Sequence, residues 1–148
     1  MVNIKSHACD LRKGRVSIPG QMYIITMVTE KRRPFFLNFH VARILIRILA
    51  EHEDRGYAET LSFVVMPDHL HWLMQLGSAR ELATVVRGIK SLASKRTGQK
   101  LWQKGFYDHA LRREEDIKEV ARYIVMNPLR AGLVNHHNDY SHWDAVWL

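Results

Sequence analysis

The chain has 148 residues, of which 47% are hydrophobic, and carries a formal charge of +7 with a pI near 9.8. That length suits one domain with its own core, and the single cysteine, Cys9, excludes an internal disulfide framework. No apolar run approaches the roughly eighteen residues of a membrane span and no charged-then-apolar leader opens the chain, which predicts a cytoplasmic protein that neither crosses a membrane nor is secreted. The basic balance predicts a polyanionic partner, nucleic acid before an anionic membrane surface.

No repeat, low-complexity tract or linker divides the sequence, so residues 1–148 read as one domain, with a basic arm over 1–15 and a tail over 135–148 packed on the body. The arm holds Arg12, Lys13 and Arg15. Gln21 to Thr29, entered through the Pro19-Gly20 turn, is rich in β-branched and aromatic residues and predicts a first strand. From Phe39 to Glu53, Val41, Ile44, Leu45, Ile48 and Leu49 recur at helical spacing. Thr60 to Met66 predicts a second strand, Pro67-Asp68 a tight turn, and the residues from His69 to Leu76 a third strand. Gly77-Ser78 breaks that strand and offers an N-cap to a helix over 79–95, whose apolar stripe is Leu82, Val85, Val86, Ile89, Leu92 and Ala93. Arg87, Lys90 and Lys95 lie on or beside the other stripe, a candidate phosphate-contacting surface that reads equally well as a solvated face. Lys104 to Leu111 predicts a fourth strand, and Glu114 to Met126 a last helix.

This order gives an α+β fold: a ferredoxin-like βαββαβ antiparallel sheet with helices on one face, plus an additional C-terminal helix. The opposite face is then left to a ligand or to that last helix.

Met66-Pro67-Asp68-His69-Leu70-His71-Trp72-Leu73 is the most informative stretch. A strand repeats every two residues, so His69 and His71 project from one face, while Leu70, Trp72, Met74 and Leu76 project from the other. Nine histidines in the chain give about half a chance pair at that spacing, so the pair alone is weak evidence for a metal site. The last helix adds weight. With Ile117, Val120, Ala121, Ile124 and Val125 forming its apolar stripe, Tyr123 and Asn127 fall together on one flank, four residues apart, presenting a phenol and an amide in the same direction. A core-edge tyrosine and an Asn-Pro helix stop account for the same residues without chemistry.

These segments together resemble a known family. Met-Pro-Asp-His-Leu-His-Trp-Leu is similar to the His-hydrophobic-His motif of the single-strand DNA transposases with one catalytic tyrosine. The runs Leu101-Trp102-Gln103-Lys104-Gly105-Phe106-Tyr107-Asp108, Tyr123 to Val134 and Tyr140-Ser141-His142-Trp143 resemble the branch called REP-associated tyrosine transposases, and the likeness extends from Arg12 to Trp147. The resemblance implies a nuclease and strand transferase acting on single-stranded DNA near short palindromes of the repetitive extragenic type, working as a monomer or a homodimer. It implies His69 and His71 as metal ligands, Tyr123 as the nucleophile, Asn127 as a third contact to the metal, and Mg2+ or Mn2+ as the cofactor. Glu119, four residues before Tyr123, is within reach as a base on paper, although a solvated surface role suits it as well.

Single strands are gripped through phosphates and stacked bases. The basic candidates are Arg12, Lys13, Arg15, Arg87, Lys90, Lys95, Lys104, Arg112, Arg113 and Arg130; the aromatic ones are Trp102, Phe106, Tyr107, Trp143 and Trp147. Three rivals compete with this reading. An RNA-recognition module shares the element order, but Lys104-Gly105-Phe106 then departs from that module's signature and sits in the wrong strand. A metal-dependent hydrolase would use the same histidines to activate water, and a domesticated relative would bind palindromes without cutting them.

Overall fold

The computed structural model describes residues 17–111, 114–136 and 139–145, without the side chains of 114–116. In chain order the elements are β1 (Met22–Val28), α1 (Phe39–Asp54), β2 (Ala58–Met66), β3 (His69–Leu76), α2 (Leu82–Thr97), β4 (Tyr107–Leu111), α3 (Glu114–Val125), α4 (Asn127–Arg130) and β5 (Trp143–Ala145), with 3-10 turns at Glu30–Arg32 and Phe35–Leu37. All strand pairings are antiparallel, in the order β4-β1-β3-β2-β5. The first four strands and α1 and α2 form the expected βαββαβ sheet.

The two faces of β3 set the layers. Leu70, Trp72, Met74 and Leu76 join Ile25 and Met27 of β1 in a core closed by α1 and α2. Each such side chain taken fully out of water contributes roughly 1.5–3 kcal/mol. The indole N–H of Trp72 donates to Thr60 Oγ1 at 2.9 Å, so its deep burial leaves no donor unpaired. On the opposite face Leu73 meets Ile24, Val64 and Met66 beneath the apolar stripe of α3, Ile117, Val120, Ala121 and Ile124. A hydrogen bond from Ser62 Oγ to the Ala121 carbonyl, 3.2 Å, pins α3 to β2. The last helix thus covers part of the face that carries the histidines.

Several boundaries differ from the sequence expectation. The helix expected from Ala79 starts at Leu82, with Glu81 rather than Ser78 at the N-cap; the Leu82 amide is satisfied by Ser17 Oγ, 65 residues earlier and 3.0 Å away. β4 begins at Tyr107, because Lys104 and Gly105 lie in a turn where Gly105 takes a positive φ of 79°. The last helix breaks at Met126 and restarts at Asn127, since Pro128 has no N–H to continue the ladder. β5, three residues of the tail, adds to the edge of β2, and so short a strand has too little alternation to announce itself. α1 begins where expected, with Asn38 Oδ1 accepting from the His40 and Val41 amides. No helix among the described residues is long and apolar enough to cross a membrane.

Gly77 is required by close approach. A Cβ there would collide with the Gly56 carbonyl where the Gly77 amide bonds the Tyr57 carbonyl at 3.0 Å. Gly77→Ala is expected to destabilise the fold by about 1–3 kcal/mol, read as a lower urea midpoint. His52 makes a second prediction. It is buried in α1, and its Nδ1–H donates to the Ile48 carbonyl at 2.9 Å. Burial pushes its pKa below the ordinary 6.5, as it does for His69, His71 and His142. The unfolded chain therefore binds more protons as the pH falls below about 6.5, so the stability contributed by neutral histidines is complete above that value and is lost beneath it. Urea midpoints measured from pH 7.5 to 5 are expected to fall, with a shallower fall in His52→Gln.

Candidate active site

His69 opens β3 directly after the two-residue turn Pro67-Asp68, and His71 follows on the same face. Their rings stand edge to face with centroids 4.6 Å apart. Each has its Nδ1 engaged by a different neighbour. His69 Nδ1 lies 2.7 Å from Asp68 Oδ1, and His71 Nδ1 lies 2.9 Å from Thr26 Oγ1, the residue paired with it across the β1–β3 ladder. The Asp68 carboxylate can only accept, so His69 donates from Nδ1 and keeps its lone pair on Nε2.

The electrostatics favour neutral rings. Burial, then the charges of His69 and Arg130, push His71 down to about 3, and burial also lowers His69. Burial pulls the Asp68 carboxyl upward, but the hydrogen bond and charge of His69 and the charge of Arg32 outweigh it and leave it below its usual value. The turn itself is braced: the Thr29 amide and hydroxyl both donate to the Asp68 carbonyl at 3.0 Å, and the Phe36 amide donates to the Pro67 carbonyl at 3.0 Å. Two neutral imidazoles whose second nitrogens are held by a carboxylate and a hydroxyl fit a divalent cation with several positions left to non-protein oxygens.

Tyr123 projects from the flank of α3 and is 40% exposed. The guanidinium of Arg130 lies over its ring, 3.7 Å from the centroid, and donates to the Tyr123 carbonyl and, at 2.9 Å, to Asn127 Oδ1. Asn127 Nδ2 is buried with no hydrogen-bond partner among the described residues. The amide oxygen that a metal would need is therefore engaged by Arg130, which leaves Asn127 a poorer candidate to hold a cation than the histidines. Arg130 also acts on His71, being one of the charges that lower its pKa. The guanidinium thus lies over the phenol ring and close enough to His71 to act on its charge.

The other residues singled out from the sequence scatter. Lys90 is turned inward, its ammonium donating to the Gln103 carbonyl at 3.0 Å and to the Gly105 carbonyl, where it holds the loop before β4 instead of facing a phosphate. Arg87 and Lys95 are exposed on α2, across the sheet from the histidine face, and Lys104 is exposed in its turn. Trp102 and Phe106 are core residues, with Trp102 packed at 5.5 Å on Phe36, so neither ring is open to a base. Tyr107 and Trp143 are half-buried in strands, and Glu119 is exposed on α3. Arg12, Lys13, Arg15, Arg112, Arg113 and Trp147, with the arm over 1–15, lie outside the described residues.

Sequence reasoning missed three members of the site. Thr26 emerges only from the strand register, and Asp68 was read for its turn chemistry alone. Arg32, whose Nε pairs with Asp68 Oδ2 at 3.3 Å, belongs to a loop without periodicity. An acidic residue directly before a His-x-His pair was the one available signal. Among the described residues no three of His, Cys, Asp and Glu gather as a metal cluster, so any cation here rests on the two histidines and oxygens of other kinds.

Comparison with known proteins agrees with this fold. Residues 17–127 match the family model described as Transposase IS200 like. A REP-associated tyrosine transposase from Escherichia coli K12 is 29% identical over 129 residues, covering 85% of this chain and 77% of the relative. The solved structure of a REP-associated tyrosine transposase bound to a REP hairpin superposes with a TM-score of 0.76 at 25% identity, covering 87% of this chain and 79% of the other. With a family model spanning most of its length and a fold shared with a solved relative, the chain belongs to the IS200-like transposases, enzymes that nick and join DNA.

Proposed function

We propose that this transposase cleaves and rejoins single-stranded DNA beside REP-type palindromic hairpins through a covalent bond between Tyr123 and the 5′ phosphate of the cut. The observation that carries this reading is the Arg130 guanidinium seated on the Tyr123 ring while its charge reaches His71. It ties the nucleophile to the histidine pair across two elements. Hairpin DNA as the substrate is supported by the related protein solved with a REP hairpin.

In this scheme the Tyr123 phenolic oxygen attacks the scissile phosphorus, the P–O3′ bond breaks, and the proton lost by the phenol is balanced by the one gained at the departing 3′-hydroxyl. One phosphodiester replaces another, so a 3′-hydroxyl can later displace the tyrosine and reseal DNA without nucleotide hydrolysis. Phenols attack weakly at neutral pH, so the phosphate must be made the better electrophile; Arg130, parked on the Tyr123 ring, restricts its orientation. His69 and His71 would hold Mg2+ or Mn2+ through Nε2, oriented by Asp68 and Thr26, and Asn127 would join them only by releasing Arg130. Such a cation, when bound, supplies polarisation of the phosphate oxygens.

The test is incubation of the protein with labelled single-stranded REP hairpins and Mn2+ or Mg2+, followed by denaturing electrophoresis. A metal-dependent protein–DNA adduct is expected, lost in Tyr123→Phe with hairpin binding retained, and lost in His69→Ala and His71→Ala. Cutting without an adduct, or cutting by the phenylalanine variant, would replace the transferase with a hydrolase; binding without cutting would make the chain a hairpin-binding protein. Thr26→Val, which removes the partner of His71 Nδ1, is expected to raise the metal concentration for half-maximal cleavage by roughly 10–100-fold.

A further inference from the structure

The turn after β1 carries three successive basic residues, Lys31, Arg32 and Arg33, all exposed. Lys31 and Arg32 both adopt left-handed backbone, with φ of 53° and 51°. Side chains with a Cβ avoid that region at a cost of about 1–3 kcal/mol each, so two in succession need strong local restraint. Thr29 supplies it: its one hydroxyl proton is shared between the Arg33 carbonyl at 2.8 Å and the Asp68 carbonyl at 3.0 Å, and its own carbonyl accepts the Arg32 amide at 3.1 Å. The Arg33 amide closes onto Glu30, and the Glu30 amide donates to the Leu101 carbonyl at 2.7 Å. With the Arg32 and Arg33 amides spent on carbonyls, an anion arriving at the turn would be met by side chains.

Arg32 is the organised member of the group. Its Nε forms an ion pair with Asp68 Oδ2 at 3.3 Å, and the other Asp68 oxygen accepts from His69, so one carboxylate holds both the guanidinium and the imidazole. The Arg32 side chain nevertheless remains 60% exposed. A guanidinium bound along its Nε edge still offers Nη donors in a planar fork suited to phosphate, and its orientation is set before the ligand arrives. A catalytic role for the histidines does not by itself demand an exposed cation on the far oxygen of Asp68. Three exposed cations in a constrained turn match a strand of phosphates.

We propose that the Lys31–Arg33 turn is a phosphate seat for single-stranded DNA, with Arg32 gripping a backbone phosphate beside the one aligned at His69 and His71. This deepens the proposed function and rests on it, since it assigns a segment of the same DNA to a surface of this chain. The seat works through charge and needs no metal.

The experiment measures fluorescence anisotropy of a labelled hairpin with a single-stranded flank, titrated with the Tyr123→Phe protein in EDTA across a potassium chloride series. Arg32→Ala is expected to reduce the slope of log affinity against log salt by about 0.7–0.9, the contribution of one phosphate contact, and so to weaken binding about fivefold near 0.1 M salt. Arg32→Lys should keep the slope, and Asp68→Asn should keep it too while weakening affinity through a looser guanidinium. An unchanged slope in Arg32→Ala, with the urea midpoint unaltered, would overturn the seat while leaving the transposase reading intact. Should Arg32→Ala unfold, Lys31→Gly/Arg32→Gly, whose glycines accept the left-handed turn, must lose about two contacts' worth of slope or the seat is overturned. Absence of hairpin binding by the parent protein would bring down both.

Discussion

Strand β3 must serve two layers at once, and the rest of the molecule follows from that. Its period of two sends Leu70, Trp72, Met74 and Leu76 into the core under α1 and α2, and His69, His71 and Leu73 toward α3. A slip of one residue against β1 or β2 would bury the imidazoles among leucines and expose Trp72, so the apolar layer that stabilises the sheet also fixes where the histidines stand. The same register sets Thr26 opposite His71, and the shortest hairpin turn brings Asp68 next to His69. Packing and site geometry are thus one constraint, and partial burial keeps both rings neutral, the form in which imidazole nitrogen can coordinate or accept a proton.

The break after α3 solves a second geometric problem. Along an unbroken helix, residue 130 would rise about 10 Å beyond residue 123. Pro128 removes the amide that would have extended the ladder, the chain turns at Met126, and Arg130 folds back to donate to the Tyr123 carbonyl, one of the last four in α3 and so lacking a partner within that helix. One side chain therefore caps a helix, covers the tyrosine ring and holds the Asn127 amide. The arrangement requires no contact from the hydrophobic core, which is why Tyr123 can be half exposed and still well placed.

What the sequence announced was whatever a single segment decides for itself. The βαββαβ order, the face shared by the histidines and the off-stripe position of Tyr123 all follow from local periodicity, and all are present in the structure. Features that depend on a distant partner were illegible. Ser17 caps α2 from 65 residues away, which displaced the expected helix start. Lys90 sits on the polar side of its helix as the wheel suggests, yet the loop at 103–105 lies within its reach and takes its charge. Arg32 follows no pattern at all, and its link to His69 runs through a carboxylate that a turn also explains.

The charge distribution around the histidines bears on which chemistry the site would suit. A site that activates water with paired metals commonly assembles carboxylates, whose charge holds the cations; here no three acidic or metal-ligating residues converge among those described. Asp68, the carboxylate bonded to the pair, is already shared between His69 and Arg32. Arg130 acts on His71 from α4, while Arg32 stands beside His69 through the turn. A site so weighted toward positive charge is incomplete until an anion with several oxygens enters it, and a DNA backbone supplies that charge at the spacing of successive phosphates. In the proposed reaction that weighting would suit a phenol held under a guanidinium as the nucleophile, and its bond to phosphorus would keep the severed strand attached to the protein until a hydroxyl returned to release it.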